Sequence, residues 1–196
     1  MATPIGHSIA GFAVSRLLPE KARQEAPLLT AMCVGMAILP DLDVLPGLVQ
    51  GMPAFFHGGM SHSFFTGAVI SLLIALIFRT KHLTRWQIFA FCFAAYSTHL
   101  FMDFVNTDGR PPYGIPLLWP FTDATFISPI PVFIGMHHSG SATDTIGQFV
   151  DAVFSYYNVL AITLEIAIVS PYVWLASHVG RWRNQQKHIA ILLNGE

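Results

Sequence analysis

The chain has 196 residues, of which 53% are hydrophobic and 11% charged, with a formal net charge of -1. Soluble domains average about 25% charged residues, so the deficit points to a lipid-facing surface, with a very apolar soluble bundle as the alternative. Near-neutrality argues against a nucleic-acid binder, which would carry a basic face.

The opening stretch MATPIGHSIAG lacks the basic start of a cleavable signal peptide, so internal helices are expected to direct insertion. Apolar runs follow at 5–18, 27–39, 64–78, 86–105 and 159–177, the first of them weaker than the rest. At ~1.5 Å rise per residue the 86–105 run covers about 30 Å, the thickness of a hydrocarbon core. The 5–18 and 27–39 runs are short for that and suit tilted or half-inserted helices, or a helical hairpin. The expectation is a single all-α domain over 1–196, an integral membrane helical bundle of four to five helices with a metal site at one membrane face. Cys33 and Cys92 both sit in apolar runs and read as buried thiols rather than a disulfide framework.

Basic residues cluster at 16–23, 79–85 and 181–187. Cytoplasmic loops carry the excess of Lys and Arg. If all three clusters lie inside and every apolar run crosses, the chain starts outside and ends inside. His7, Asp41, Asp43, His57, His62, His99 and Asp103 then all fall at the extracytoplasmic face of a multi-pass membrane protein. The 106–158 segment, rich in Pro and Gly but too apolar for a free loop, suits a lid or interfacial segment with Trp119, Phe121 and Phe126 at headgroup level.

Ionised groups in such surroundings are costly unless partnered, about 2.5–3.5 kcal/mol at a helix centre. His99 and Asp103, four apart on a helical run, share one face and suit either a metal or a His–Asp hydrogen bond. Asp41 and Asp43 in LPDLD follow a proline that ends the preceding helix. Two carboxylates so close repel unless a cation or proton separates them; a solvated helix end is the plain alternative. His57 and His62 flank a Gly-Gly turn, with Ser61 or Ser63 available to cap the next helix. His62 is the ligand of the pair, and His57 a second ligand or a proton donor. His7 alone would be a core histidine. Imidazoles and carboxylates together suggest zinc, in two or more ions, with manganese or iron as alternatives.

The order GH…LPDLD…HGGMSHS…HLFMD…GIPLLWPF resembles the inner-membrane metal-dependent hydrolase family, the YdjM-like proteins, from about His7 to Phe121. That family usually reads His-Arg-Gly-x-Thr-His-Ser where this chain has His57-Gly58-Gly59-Met60-Ser61-His62-Ser63, so its arginine is replaced by Gly58. Arg110 is a candidate substitute for the anion contact. More distantly, the succession His7, Asp43, His62, His99, Asp103 is similar to the ligand order of zinc-dependent phospholipase C and related nucleases.

The expected activity is metal-assisted hydrolysis of a phosphoester in a membrane lipid or lipid-linked substrate. His7, Asp43, His62, His99 and Asp103 are the expected ligands, with Asp41 a ligand or the base and His57 the acid for the leaving group. An amide or ester hydrolase and a non-enzymatic metal-bound membrane protein that binds a partner are the alternatives. Glu165, mid-membrane, has no assigned role. Asp108 and Asp123 read as orienting groups or solvated loop acids, and His137 and His138 as ligands or interfacial residues. His82, His178 and His188 fall on the cytoplasmic side and carry no expected function. Sequence assigns no oligomeric state.

Overall fold

The computed structural model describes residues 1–109, 113–138, 141 and 143–194, and the side chains of 187, 188 and 190–194 are not among what it describes. Arg110 and the His188 side chain therefore lie outside the described residues. The fold is all-α, with no strand among the described residues and only isolated bridges at Asn106–Phe133 and Ile115–Phe126.

Side-chain capping sets four of the helix starts. Helix α1 (Pro4–Ser15) begins at Thr3, whose hydroxyl accepts the Gly6 amide, with Pro4 preset for the first turn. A short α2 (Glu20–Glu25) leads into α3 (Pro27–Ile38). Pro40 offers no amide hydrogen, and the backbone there tightens into a 3-10 turn, Leu39–Asp43, before α4 (Val44–Val49). Ser63 caps α5 (Phe64–Ile77) through the Thr66 amide. Helix α6 (Arg85–Phe104) starts in a capping box of Thr84 and Gln87, and α7 (Ile146–Val153) in a second one of Thr145 and Gln148. Helix α8 (Tyr156–Asn194) carries Pro171 in its interior.

Helix α1 packs against α3, α6 and α8, and α6 in turn carries α3 and α5. Close approach of α1 to α3 depends on Gly11, where a Cβ would lie 2.7 Å from both the Ala37 methyl and the Cys33 carbonyl. The core contains Leu29, Met36, Ile88, Ala95, Tyr96 and Leu100, with Cys33 and Cys92 buried in it as free thiols. Outward positions are apolar too: Leu72, Leu73, Leu76, Val159, Ile166 and Trp174 are all exposed.

Two helical stretches are long and apolar enough to cross a membrane, 27–49 (mean hydropathy 1.8) and 156–186 (mean hydropathy 1.9). Helix α5 is apolar but shorter. Helix α6 has the length expected of a span, 20 residues, without the apolar composition. Its polar positions Tyr96, His99 and Asp103 are turned inward and buried.

Polar residues sort to opposite ends of the helices. At one end Arg16 donates to Ser177 (2.9 Å), Asn184 donates to Glu20 (3.2 Å), and Lys81 and His82 each lie 3.2 Å from Glu25. The three basic clusters thus meet. Along α6, Asp103 lies 18 residues beyond Arg85, roughly 27 Å away. The segment after α6 folds back over that far end: Thr107 bonds to Phe133, Ser128 to Phe104, and the Phe64 amide to Leu117.

Candidate metal centre

At the end remote from the basic clusters, α1 begins, α3 ends and α6 ends. His7 comes from the start of α1, Asp41 from the 3-10 turn after α3, His62 from the turn Met60–His62 before α5, and His99 and Asp103 from the last turns of α6. His7, His62 and His99 are fully buried, and Asp103 is 4% exposed.

Their ligating atoms converge. Nε2 of His99 lies 3.1 Å from Asp103 Oδ2 and 3.6 Å from Asp41 Oδ1. Nε2 of His62 lies 3.5 Å from Asp103 Oδ2 and 3.7 Å from Asp41 Oδ1. Nε2 of His7 is 3.6 Å from Asp103 Oδ1 and 4.0 Å from Asp41 Oδ2, with the His7 ring stacked on that of His99. Two overlapping groups could each hold an ion: His7, Asp41, His99 and Asp103, and Asp41, His57 and His62. Asp41 is common to both.

Whether these residues suit a cation can be judged from what they leave unpaired. The Nε2 atoms of His7, His62 and His99, both Asp41 oxygens and Asp103 Oδ2 are buried and make no hydrogen bond. One such orphan costs about 1–3 kcal/mol, more when charged, and several facing one another are not tolerated without a shared partner. Tetrahedral ligands of one zinc at ~2.0–2.2 Å stand about 3.3–3.6 Å apart, close to the separations here. The donors are nitrogen and oxygen without sulfur, a set that several first-row divalent ions accept. A cation fits; its identity does not follow from the donors alone.

Hydrogen bonds on the far side of three of the rings aim the lone pairs, whereas the buried Nδ1 of His7 makes none. Nδ1 of His99 pairs with the Ala37 carbonyl (2.8 Å), and Nδ1 of His57 with Asp43 Oδ1 (2.7 Å). Nδ1 of His62 is 3.0 Å from the Ser61 hydroxyl. Such contacts fix the tautomer and turn Nε2 inward. Asp43 belongs to neither ligand group: its other oxygen accepts from the Gly58 amide (3.0 Å) and the Ser61 hydroxyl (2.7 Å). The turn separates two carboxylates that the sequence leaves equivalent, sending Asp41 to the imidazole Nε2 atoms and Asp43 to the Nδ1 side.

Burial works against a charged His62, yet the Asp41 and Asp43 carboxylates outweigh it and lift the imidazole to about 10. Without a cation, a proton takes its place.

Gly58 sits at φ +84°, where a side chain would be strained, and a Cβ there would meet the Met1 side chain at 2.5 Å. Its amide, not a side chain, serves Asp43.

Further residues complete the surroundings. Asp103 Oδ1 accepts from the Ala2 amide (2.7 Å), which leaves Oδ2 facing inward. Glu165 of α8, 1% exposed, accepts the Thr3 amide at 3.0 Å on both oxygens and also the Thr3 hydroxyl. A carboxylate thus meets the positive end of α1, one turn below His7. The Tyr96 hydroxyl donates to the Ser61 carbonyl. Of these, only Glu165 stands out in the sequence, as an acid in an apolar run. The Ala37 carbonyl and Ala2 amide are backbone groups with no sequence signature.

The remaining candidates separate cleanly. The His138 ring stands edge-on to His57 at 5.1 Å, so the segment after α6 reaches the rim of the centre. His137 instead stacks on Tyr157. Asp108 accepts the Gly114 amide (2.8 Å) and Asp123 is exposed, and neither joins a ligand group among the described residues. Trp119 and Phe121 both pack edge-on to Phe65, and Phe126 pairs through its backbone with Ile115. His82 and His178 lie at the basic end, on Glu25 and Arg181 respectively.

No curated protein and no solved structure matches the chain, so the likeness to zinc-dependent phospholipase C rests on ligand order alone. The YdjM inner membrane protein family matches over residues 1–182, and the chain belongs to that family.

Proposed function

We propose that this protein is a metal-dependent hydrolase embedded in the inner membrane, with a centre of more than one ion that cleaves a phosphoester in a membrane lipid or lipid-linked substrate. The observation that carries the reading is the pair of ligand groups sharing Asp41. A structural zinc is satisfied by four ligands and closed, whereas this set exceeds what one closed ion needs. Two ions of zinc, or of manganese or iron, would lower the pKa of a water and offset charge on phosphoryl oxygens.

In this reading His7, His99 and Asp103 would hold one ion and His62 a second, with Asp41 common to both groups and His57, the remaining member of the second group, left for proton transfer. Asp43 acts as a positioning residue, because both of its oxygens are engaged. His57, whose side chain is 10% exposed, is the proton donor to the leaving oxygen. With Nδ1 held on Asp43, the ring is oriented so that Nε2 lies 3.9 Å from Asp41 Oδ1, at the centre where the leaving oxygen would sit. The centre sits at the extracytoplasmic face, since the basic clusters gather at the other end and basic residues favour the cytoplasm.

Elemental analysis of the purified protein, paired with hydrolysis of lipid phosphoesters and lipid amides, tests the reading. About two transition-metal ions per chain and phosphate release from a lipid are expected. Metal-free protein of full stability, or cleavage of amides alone, overturns it. For orientation, Thr107→Cys should react with an impermeant thiol reagent in intact cells and Gln185→Cys should not. The reverse pattern moves the chemistry to the cytoplasmic face.

A further inference from the structure

An apolar groove of about 410 Å³ lies between α3 and α5, walled by Met32, Gly35, Met36, Ile38, Leu39, Leu42 and Ile74. Its size is that of a ligand pocket, ~300–1,000 Å³. No wall residue has a polar side chain, so the groove offers nothing to a headgroup and everything to hydrocarbon.

Its placement connects two surfaces. Most of its walls belong to 27–49, one of the two stretches long and apolar enough to cross a membrane, so the groove is continuous with a lipid-facing surface. Leu39 and Leu42 belong to the same 3-10 turn as Asp41 and Asp43. The turn thus presents leucines to the groove and carboxylates to the imidazoles, and a chain lying in the groove ends beside the centre.

Gly35 supplies an independent observation. At Gly11 and Gly67 a Cβ would collide with a neighbouring helix, against Ala37 and the Tyr96 ring respectively, and close packing accounts for the glycine. At Gly35 a Cβ would meet nothing within 4 Å. A mid-helix glycine costs roughly 0.5–1 kcal/mol relative to alanine. Here that cost has no return in helix packing and leaves the groove open.

We infer that the groove seats an acyl chain of the lipid substrate, with the ester end of the lipid at Asp41 and His57. The inference rests on the hydrolase reading for the word substrate, but its test reads binding without catalysis.

The probe is phosphatidylglycerol bearing a diazirine near the end of one acyl chain, in vesicles with the full-length protein, photolysed and mapped by peptide mass spectrometry. Labelling should concentrate on residues 32–42, with weaker background on exposed α8 positions such as Trp174. Gly35→Leu, which fills open space, should cut groove labelling at least about tenfold, the effect of excluding a few buried methylenes, and leave α8 labelling unchanged. Ile74→Phe should act likewise from the opposite wall. Equal labelling of residues 32–42 in wild type and both variants, or labelling there no higher than on α8, overturns the inference. Both variants should keep wild-type metal content, and a loss of metal would mark a folding defect and overturn the groove as a separate subsite. If groove labelling behaves as expected while wild-type protein cleaves no lipid phosphoester, the proposed reaction fails and the lipid groove stands.

Discussion

The two ends of this helical assembly use charge in opposite ways. At the basic end the Lys81–Glu25 pair is exposed, at 79% and 40%, and water screens such a pair so that its contribution is small. At the other end two carboxylates and three imidazoles are withdrawn from water with their inward atoms unmatched. Exposed pairs mark which way a helix points; buried unmatched groups mark what the protein is for.

The sharpest way to break that contrast is to remove the shared ligand. Asp41→Asn keeps the shape of the side chain but loses the charge that both ligand groups use, so metal content should fall from about two ions per chain to one or none, with turnover lost together with metal. Asp43→Asn should behave differently: metal largely retained, turnover down about 10–100-fold, the usual effect of an orienting partner. Elemental analysis beside kinetics separates them, and the same phenotype for both would erase the division of labour drawn here.

Acidity comes next. In the metal-free centre His62 holds its proton up to about 10, so at neutral pH a cation must displace it. Apparent metal affinity should therefore rise with pH across the range 6–8, up to about tenfold per unit for one proton displaced. Chelator competition at three pH values measures this. A flat profile would exclude His62 as a ligand.

Glu165→Ala should leave the Thr3 amide and hydroxyl without their acceptor, a loss of about 1–3 kcal/mol visible as a lowered thermal midpoint. Glu165→Gln, which can still accept, should lose less. Metal content should fall in the alanine variant if the anchored start of α1 is what places His7. The smallest effect belongs to the basic end: Lys81→Ala should leave the thermal midpoint and the metal content essentially unchanged.

The candidate ligands were legible because they are out of place. His7, His62, His99 and Asp103 announce themselves by lying in sequence otherwise fit for lipid. The cap at Ser63, one of the two serines the sequence offers, is likewise local chemistry. The distinct surroundings of Asp41 and Asp43 were not, since a spacing of two residues gives no direction until the backbone leaves the α-helix. The 86–105 run is legible by length and not by composition: its polar residues face inward to line the centre, and an average over the helix does not separate its faces. The partner of Glu165 lies 162 residues away, beyond the reach of any local pattern.

That last separation bears on how the molecule comes into being. Asp103 is held by the Ala2 amide across 101 residues, and the start of α1 is held by the final helix. A chain inserted from its N-terminus therefore carries His7 and Asp41 into the bilayer well before the groups that complete their surroundings have been synthesised. Contacts of such sequence separation form late. Loading of the proposed ion should accordingly follow docking of the last helix, and a ribosome-stalled chain ending before Glu165, which lacks the anchor at Thr3, should retain less metal than the full chain.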